Sequence, residues 1–299
     1  MAEPIGLVLS GGGAKGAYEV GVYKALSHYN ITEHITAFSG TSVGALNAVL
    51  LDSLGAAAEK VWLDLKLSDM MTLDVGRIAK NISSLFTDSP DTPDPSTVKL
   101  SNLSAVAKYL YPDVDSLYTN GLPFTQNRLS ELIDKNVDFK NLRHKIYVHS
   151  VRIGSGSSLE LETFRLSSVL YDDQQRKDMV LASAALPGVY CGTEGVKIKG
   201  MEGSFVDGGY PGAGDNTPIA TLYNKGFRRI IAVHLKDDAD ISGQSKFTGA
   251  QIVNIIPSES MGGFLTGTLN LTPEKIRRDI NLGYNDTLAA LPSLRNLTV

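Results

Sequence analysis

Cysteine, excess positive charge and long apolar runs are all scarce in this sequence of 299 residues. The one cysteine, Cys191, excludes an internal disulfide and is typical of a reducing, cytoplasmic environment. No run of about eighteen apolar residues occurs, so no helix is expected to cross a bilayer. The N-terminal segment MAEPIGLVLSGGG has no basic leader and enters an apolar strand directly, so no signal peptide is expected.

The charge balance argues against one class of partner. The formal net charge is −4, so the chain has no basic footprint for nucleic acid, and attraction to anionic lipid would need a local patch.

No linker rich in proline, glycine or serine divides the chain. With 42% hydrophobic and 20% charged residues, the composition is that of an ordinary globular protein, and we expect one domain over residues 1–299.

The most informative stretch is HITAFSGTSVGALN, residues 34–47. Alternating apolar residues at its start predict a strand, and the run at its end predicts a helix. Ser42 therefore lies at a tight turn between the two elements. Gly40 and Gly44 remove side chains that would collide with the neighbouring strand and helix.

Ser42 has two interpretations. The N-terminus of a helix carries free N–H groups and a positive dipole end, which favour negative charge developing beside a nucleophilic hydroxyl. The simpler interpretation is a tight turn in which Ser42 caps the helix. Strand and helix context on both sides of the GxSxG motif favours the nucleophile.

A second unit of strand, glycine turn and helix precedes the first. Its turn contains Gly11, Gly12, Gly13 and Gly16. The GxGxxG pattern allows a dinucleotide site, but the next strand ends without an acid for the ribose. A P-loop does not fit, because no Ser or Thr follows the lysine. Converging N–H groups would also form an oxyanion hole, which the nearby GxSxG favours over a plain packing turn.

Lys15 lies inside this glycine loop. It is either a surface lysine that caps the loop or a cation that neutralises an anionic group of a substrate. The pattern favours the second interpretation slightly. No metal ion or organic cofactor is expected.

A serine hydroxyl is a poor nucleophile unless a neighbouring group accepts its proton. None of the five histidines follows Ser42 in a glycine-bounded loop, as an α/β-hydrolase triad would require. Asp207 does lie in such a loop, at a strand end and before Gly208 and Gly209. Because a carboxylate is a weak base, Asp207 would need desolvation and a strong oxyanion site. The alternative is an Asx turn that caps the two glycines.

Strands alternate with helices along the chain, which predicts an α/β fold with a mainly parallel sheet covered on both faces. Active sites in such sheets gather at the carboxyl ends of the strands, where all three motifs are expected. The proline-rich residues 87–98 predict a loop, within a lid or insert over 75–122. Further helices are predicted at 56–67, 74–86, 100–110, 124–136, 172–186, 217–225 and after an N-cap at Thr272, and further strands at 145–153, 159–164, 229–235 and 251–256.

The motifs SGGGAKG, GTSVG and FVDGG, in this order and each at a strand end, resemble the patatin-like phospholipase family. The segments ASAALPGVY and GTLNLTPEKIRRDINLGYNDT are also similar to bacterial members, so the resemblance covers most of the chain. It implies a three-layer α/β/α fold and hydrolysis of lipid acyl esters by a Ser/Asp dyad. Position by position, it implies Ser42 as nucleophile, Asp207 as base and the N–H groups of Gly11, Gly12 and Gly13 as oxyanion hole.

The resemblance implies a phospholipase A that hydrolyses glycerophospholipids through an acyl-enzyme. We expect a cytoplasmic protein that contacts the membrane surface transiently. Three alternatives stay open: a carboxylesterase or lipase on other esters, a membrane-degrading effector switched on by a ligand or partner, and a nucleotide-binding module. The resemblance is weakest over residues 75–122, which are expected to set substrate access.

Overall fold

The structure is a computed structural model that describes residues 3–70, 72–73, 124–154, 158–186, 190 and 195–299. The predictions made for residues 74–122, namely two helices, the proline-rich loop and the lid, lie outside the described residues. Within the described part of the chain, no helix combines the length and apolar character that a membrane span requires.

Strands and helices alternate along the described chain. The strands are β1 (Ile5–Leu9), β2 (Ile35–Thr41), β3 (Thr72–Leu73), β4 (Phe124–Thr125), β5 (Lys145–Ile153), β6 (Leu159–Arg165), β7 (Ser204–Asp207), β8 (Arg229–Val233) and β9 (Gln251–Ile255). The helices are α1 (Ala17–His28), α2 (Val43–Leu54), α3 (Ala58–Asp64), α4 (Leu67–Met70), α5 (Asn127–Asn136), α6 (Asp173–Ser183), α7 (Ile219–Asn224), α8 (Pro273–Ala289) and α9 (Leu291–Asn296).

Seven strands form one sheet in the order β6-β5-β2-β1-β8-β9, with β7 also paired to β5. The neighbours from β5 to β9 are parallel, whereas β6 and β7 run antiparallel to β5. All residues of β1 are buried, as expected for a central strand covered on both faces. The predicted α/β fold with a mainly parallel sheet is confirmed, and so is the predicted hairpin of β5 and β6.

Side chains alternate along β1 between two cores, because successive residues of a strand point to opposite faces. Leu7 and Leu9 pack in the larger core with residues of α1, α2, α5, α6 and α8. Val8 packs in the smaller core with Leu222 of α7. The sheet thus separates two helical layers, and Trp62 lies in the larger core as predicted.

β2 and β7 lie end to end along one edge of β5. Thr41, the last residue of β2, pairs with His149, and Asp207, the last residue of β7, pairs with Ser150. Because β2 is parallel and β7 antiparallel to β5, the two strands run toward each other and their last residues meet. The sequence predicted Asp207 at a strand end, but not that this strand is antiparallel.

Several predicted boundaries are corrected. The helix predicted from residue 124 begins at Asn127, because Phe124 and Thr125 form β4 and pair with β3. The helix predicted to residue 186 ends at Ser183, where the carbonyl groups of Ser183 and Ala185 accept hydrogen bonds from the N–H groups of Gly208 and Asp207. Thr272 takes the N-cap position of α8 as predicted, but its side chain makes no capping hydrogen bond.

Candidate active site

Ser42 lies at the turn between β2 and α2, as predicted. Its φ of 56° and ψ of −124° are strained for an L-residue, and such a conformation costs on the order of 1–3 kcal/mol. A Cβ at Gly40 would overlap the carbonyl group of Gly44, and one at Gly44 would overlap that of Leu9. The two glycines therefore permit the close packing that holds Ser42 in the strained turn.

The end of α6 joins the serine segment to the acid segment. The Ser42 N–H donates to the buried hydroxyl oxygen of Ser183 over 3.0 Å. The carbonyl oxygens of Ser183 and Ala185 accept from the N–H groups of Gly208 (3.3 Å) and Asp207 (3.0 Å). Small residues in this part of the sequence allow so close an approach, but no local pattern identified Ser183 as a partner of Ser42.

The glycine loop lies directly against Ser42. A Cβ at Gly11 would be 3.1 Å from the Cβ of Ser42. The Gly11 N–H donates to the carbonyl oxygen of Asn216 over 3.0 Å, so it is not free to bind an oxyanion, and this part of the prediction is corrected. The N–H groups of Gly12 and Gly13 make no main-chain hydrogen bond to described residues, and both glycines line the cavity beside Ser42.

Asp207 is 3% exposed and lines the same cavity as Ser42. Its Oδ1 accepts from the Gly209 N–H over 2.8 Å, which is the Asx turn that the sequence left as an alternative. Its Oδ2 is buried and has no hydrogen-bond partner among the described residues. One carboxylate oxygen therefore holds the turn, while the other is left to accept a proton.

Burial raises the pKa of Asp207 to about 6, and the Ser42 hydroxyl and the Gly209 N–H oppose this by favouring the carboxylate. The carboxylate is therefore a stronger base than an exposed aspartate and is still ionised at neutral pH. The Ser42 hydroxyl is close enough to lower the pKa of this carboxylate. It does not, however, form a hydrogen bond of normal distance and angle to Oδ2. Contacts of this kind commonly shorten when substrate binds.

Two buried histidines, His149 and His234, are hydrogen-bonded elsewhere. His149 is buried between a carbonyl oxygen of β2 (3.0 Å) and the Thr221 hydroxyl (2.8 Å), and burial lowers its pKa to about 4. His234 is hydrogen-bonded to Asn254 over 2.8 Å. None of the five histidines, all of which the structure describes, lines the cavity beside Ser42.

A cavity of about 370 Å³ opens in front of Ser42 and Asp207. Among the described residues, no group of three or more His, Cys, Asp or Glu could hold a metal ion. The larger part of the cavity wall is apolar, and its large aliphatic and aromatic side chains are those of Val43, Leu46, Met70, Leu129, Leu186, Tyr190, Leu235, Leu269 and Leu271.

Lys15 also lines the cavity and is only 9% exposed, so its interpretation as a surface lysine is wrong. Burial, followed by repulsion from Lys275 and Lys236, lowers its pKa, while Asp237 and Asp279 oppose the change. Its ammonium group forms no hydrogen bond or ion pair with the described residues. A buried lysine whose ammonium group has no carboxylate partner favours an anionic ligand group.

Glu19, on α1, is fully buried behind the glycine loop. Its Oε2 accepts from Asn47 Nδ2 over 2.8 Å, and Asn47 also donates to the Gly16 carbonyl oxygen (2.9 Å) and accepts from Trp62 Nε1 (2.9 Å). Burial raises the pKa of Glu19 to about 8, against the effects of Asn47 and the Ser10 N–H. Glu19 is therefore a neutral acid at pH 7 and supports the loop from behind.

Glu19→Gln is expected to flatten the dependence of stability on pH. Since the pKa is raised from 4.5 to about 8, the folded chain keeps a proton that the unfolded chain loses across this window. The free energy of unfolding therefore falls with rising pH between these values, by up to about 1.4 kcal/mol per pH unit. Urea unfolding at pH 5, 7 and 9 measures this. Parallel curves for wild type and Glu19→Gln, with Glu33→Gln as exposed control, would contradict it.

The sequence profile described as patatin-like phospholipase matches residues 7–223. The chain belongs to the patatin-like phospholipase family. The matched span covers well over half of the sequence and includes the glycine loop, Ser42 and Asp207. The family predicted from the three motifs is thus confirmed.

One solved structure, VipD, supports the patatin-like fold. VipD from Legionella pneumophila matches with a TM-score of 0.54 and 19% identity, over 97% of this chain and 67% of that one. Human GIVD cytosolic phospholipase A2 matches with a TM-score of 0.49 and 10% identity, over 99% and 60%. The chain thus spans about two thirds or less of these structures, and the likeness to VipD, at 19% identity, supports the fold alone. Among curated protein sequences, none matches this patatin-like chain.

Proposed function

We propose that the chain is a serine acyl hydrolase of lipids, with Ser42 as nucleophile and Asp207 as general base. The supporting observation is that β2 and β7 run toward each other along one edge of β5, so that the residues at their ends are neighbours. The serine, the acid and the glycine loop therefore line one cavity. The apolar wall suits a fatty acyl chain, because each buried methylene contributes about 0.8 kcal/mol. Membership of the patatin-like phospholipase family supports a lipid substrate.

In the first half of the reaction, Asp207 accepts the Ser42 hydroxyl proton while Oγ attacks the ester carbonyl carbon. The carbonyl oxygen becomes an oxyanion, and the N–H groups of Gly12 and Gly13 and the positive end of α2 stabilise it. Collapse of this intermediate breaks the ester C–O bond. The leaving alcohol takes the proton from Asp207, and the acyl group remains on Ser42.

In the second half, a water molecule gives a proton to Asp207 and attacks the acyl carbon. The bond to Ser42 Oγ breaks, Asp207 returns the proton to Oγ, and a fatty acid leaves. The same carboxylate accepts and returns a proton in both halves. Its pKa of about 6 suits both transfers near neutral pH.

Glycerophospholipid is the substrate class that the cavity supports best, which makes the reaction that of a phospholipase A at a membrane surface. Lys15 and Lys236 both line the cavity, so a phosphate group could be bound there while the acyl chain lies along the apolar wall.

We further propose that residues 1–299 act as one domain, in which residues 75–122 control access. The dinucleotide alternative receives no support, since the space before the glycine loop adjoins Ser42 and apolar side chains.

Lys15→Gln is expected to separate phospholipid from neutral ester. We expect kcat/KM on phosphatidylcholine vesicles to fall at least about tenfold, because a charge-assisted contact contributes about 1.5–3 kcal/mol. On a p-nitrophenyl acyl ester, the change should stay within about threefold, since no phosphate is present. Fatty acid release and nitrophenol absorbance measure the two rates.

Lys66→Gln, an exposed lysine outside the cavity, is the matched control. Equal losses on the two substrates would contradict the phosphate contact and favour a carboxylesterase or lipase. Hydrolysis of neither substrate by the wild-type chain would contradict the proposed function itself.

A further inference from the structure

Residues 215–217, here named the 215–217 strap, connect the three motifs. The Asp215 N–H donates to the carbonyl oxygen of Gly208 over 2.9 Å. The Asp215 carbonyl oxygen accepts from the Thr41 hydroxyl over 2.7 Å. Thr41 precedes Ser42 and Gly208 follows Asp207, so Asp215 fixes the chain beside both groups.

The rest of the strap holds the start of the glycine loop. The hydroxyl groups of Thr217 and Ser10 are hydrogen-bonded over 2.8 Å. Asn216 contacts Gly11 twice: its carbonyl oxygen accepts the Gly11 N–H (3.0 Å), and its Nδ2 donates to the Gly11 carbonyl oxygen (3.1 Å). Both sides of one residue of the loop are therefore held by a single asparagine.

The Asn216 side chain also lies between the glycine loop and the loop that follows Asp207. A Cβ at Gly11 would overlap its Oδ1, and one at Gly209 would lie 2.6 Å from the same atom. Asn216 lines the cavity as well. Both loops must therefore present glycine here so that the amide can separate them at a fixed distance.

We infer that Asn216 is a positioning residue that sets the glycine loop relative to Ser42, a role that rests on the proposed function. With Gly11 held on both sides, its amide is excluded from the oxyanion site. The N–H groups of Gly12 and Gly13 are then directed to the carbonyl oxygen that becomes charged. Because a misplacement of about 1 Å can lower a rate about 100-fold, this support acts on the transition state more than on substrate binding.

Two variants test this role. Asn216→Ala removes the side chain, and Asn216→Asp keeps its shape but replaces the donor to Gly11 by an acceptor. For both, we expect kcat to fall about 10- to 100-fold with KM changed less than about threefold. A fatty acyl trifluoromethyl ketone forms a hemiketal with Ser42, and the oxygen of this adduct is the oxyanion. Affinity for this ketone should fall by the same factor as kcat/KM, whereas affinity for the matching methyl ketone should not change.

Asn254→Asp is the matched control, because Asn254 is a hydrogen-bonded amide outside the cavity. Unchanged kcat in a folded Asn216→Asp, or equal losses for the two ketones, would overturn the positioning role. If Asn216→Ala fails to fold, the ketone comparison on Asn216→Asp decides alone. A wild-type chain that neither hydrolyses acyl esters nor binds the trifluoromethyl ketone would instead refute the proposed function.

Discussion

Ser42→Ala is expected to lower kcat for acyl ester hydrolysis by at least about 10⁴-fold, because the covalent route is lost with the hydroxyl. The fold should persist, since the Ser42 side chain makes no hydrogen bond that holds the turn, and its N–H still reaches Ser183. Fatty acid release measures the rate, and thermal unfolding verifies the fold.

Two further variants sharpen this test. Ser53→Ala changes a serine at the far end of α2 and should retain full activity. Ser42→Gly should be inactive yet more stable than Ser42→Ala by about 1 kcal/mol, because glycine adopts a φ of 56° without strain. Near-native hydrolysis by either Ser42 variant would remove this serine from the reaction.

Asp207→Asn is expected to lower kcat by about 10³- to 10⁴-fold, because asparagine has the shape of the acid but cannot accept a proton. The wild-type rate should also depend on pH. Since burial raises the pKa of Asp207 to about 6, kcat/KM should fall tenfold per unit below pH 6 and reach a plateau above it. A pH series from 4.5 to about 8 measures both effects.

The residual activity of Asp207→Asn should not show this decline near pH 6. Asp52→Asn, which alters a buried acid bonded to His144 away from the cavity, should keep the wild-type profile. A variant Asp207→Asn with the wild-type inflection would assign the base to another group.

Features encoded by neighbouring residues could be predicted from the sequence. The turn at Ser42 follows from an alternating strand, two glycines and a helix-forming run, all within residues 34–47. The β5–β6 hairpin follows in the same way from two alternating runs around a Gly/Ser turn. In each case, the local pattern and the final fold favour the same structure.

Features that depend on distant contacts could not be predicted. The antiparallel direction of β7 is set by its pairing with β5, and Asp207 itself gives no sign of it. Asn216 and Gly11 are 205 positions apart, and Ser42 and Ser183 are 141 apart. The engagement of the Gly11 N–H and the burial of Lys15 are consequences of this packing, so a motif alone could not reveal either one.

The most direct measurement is labelling with a fluorophosphonate, followed by mass spectrometry of the digested chain. The probe phosphonylates an activated serine, so a single adduct on Ser42 is expected, and its rate of formation should fall sharply in Asp207→Asn. An adduct on another serine, or unchanged labelling of Ser42 in Asp207→Asn, would contradict the proposed pairing of this hydroxyl with this carboxylate.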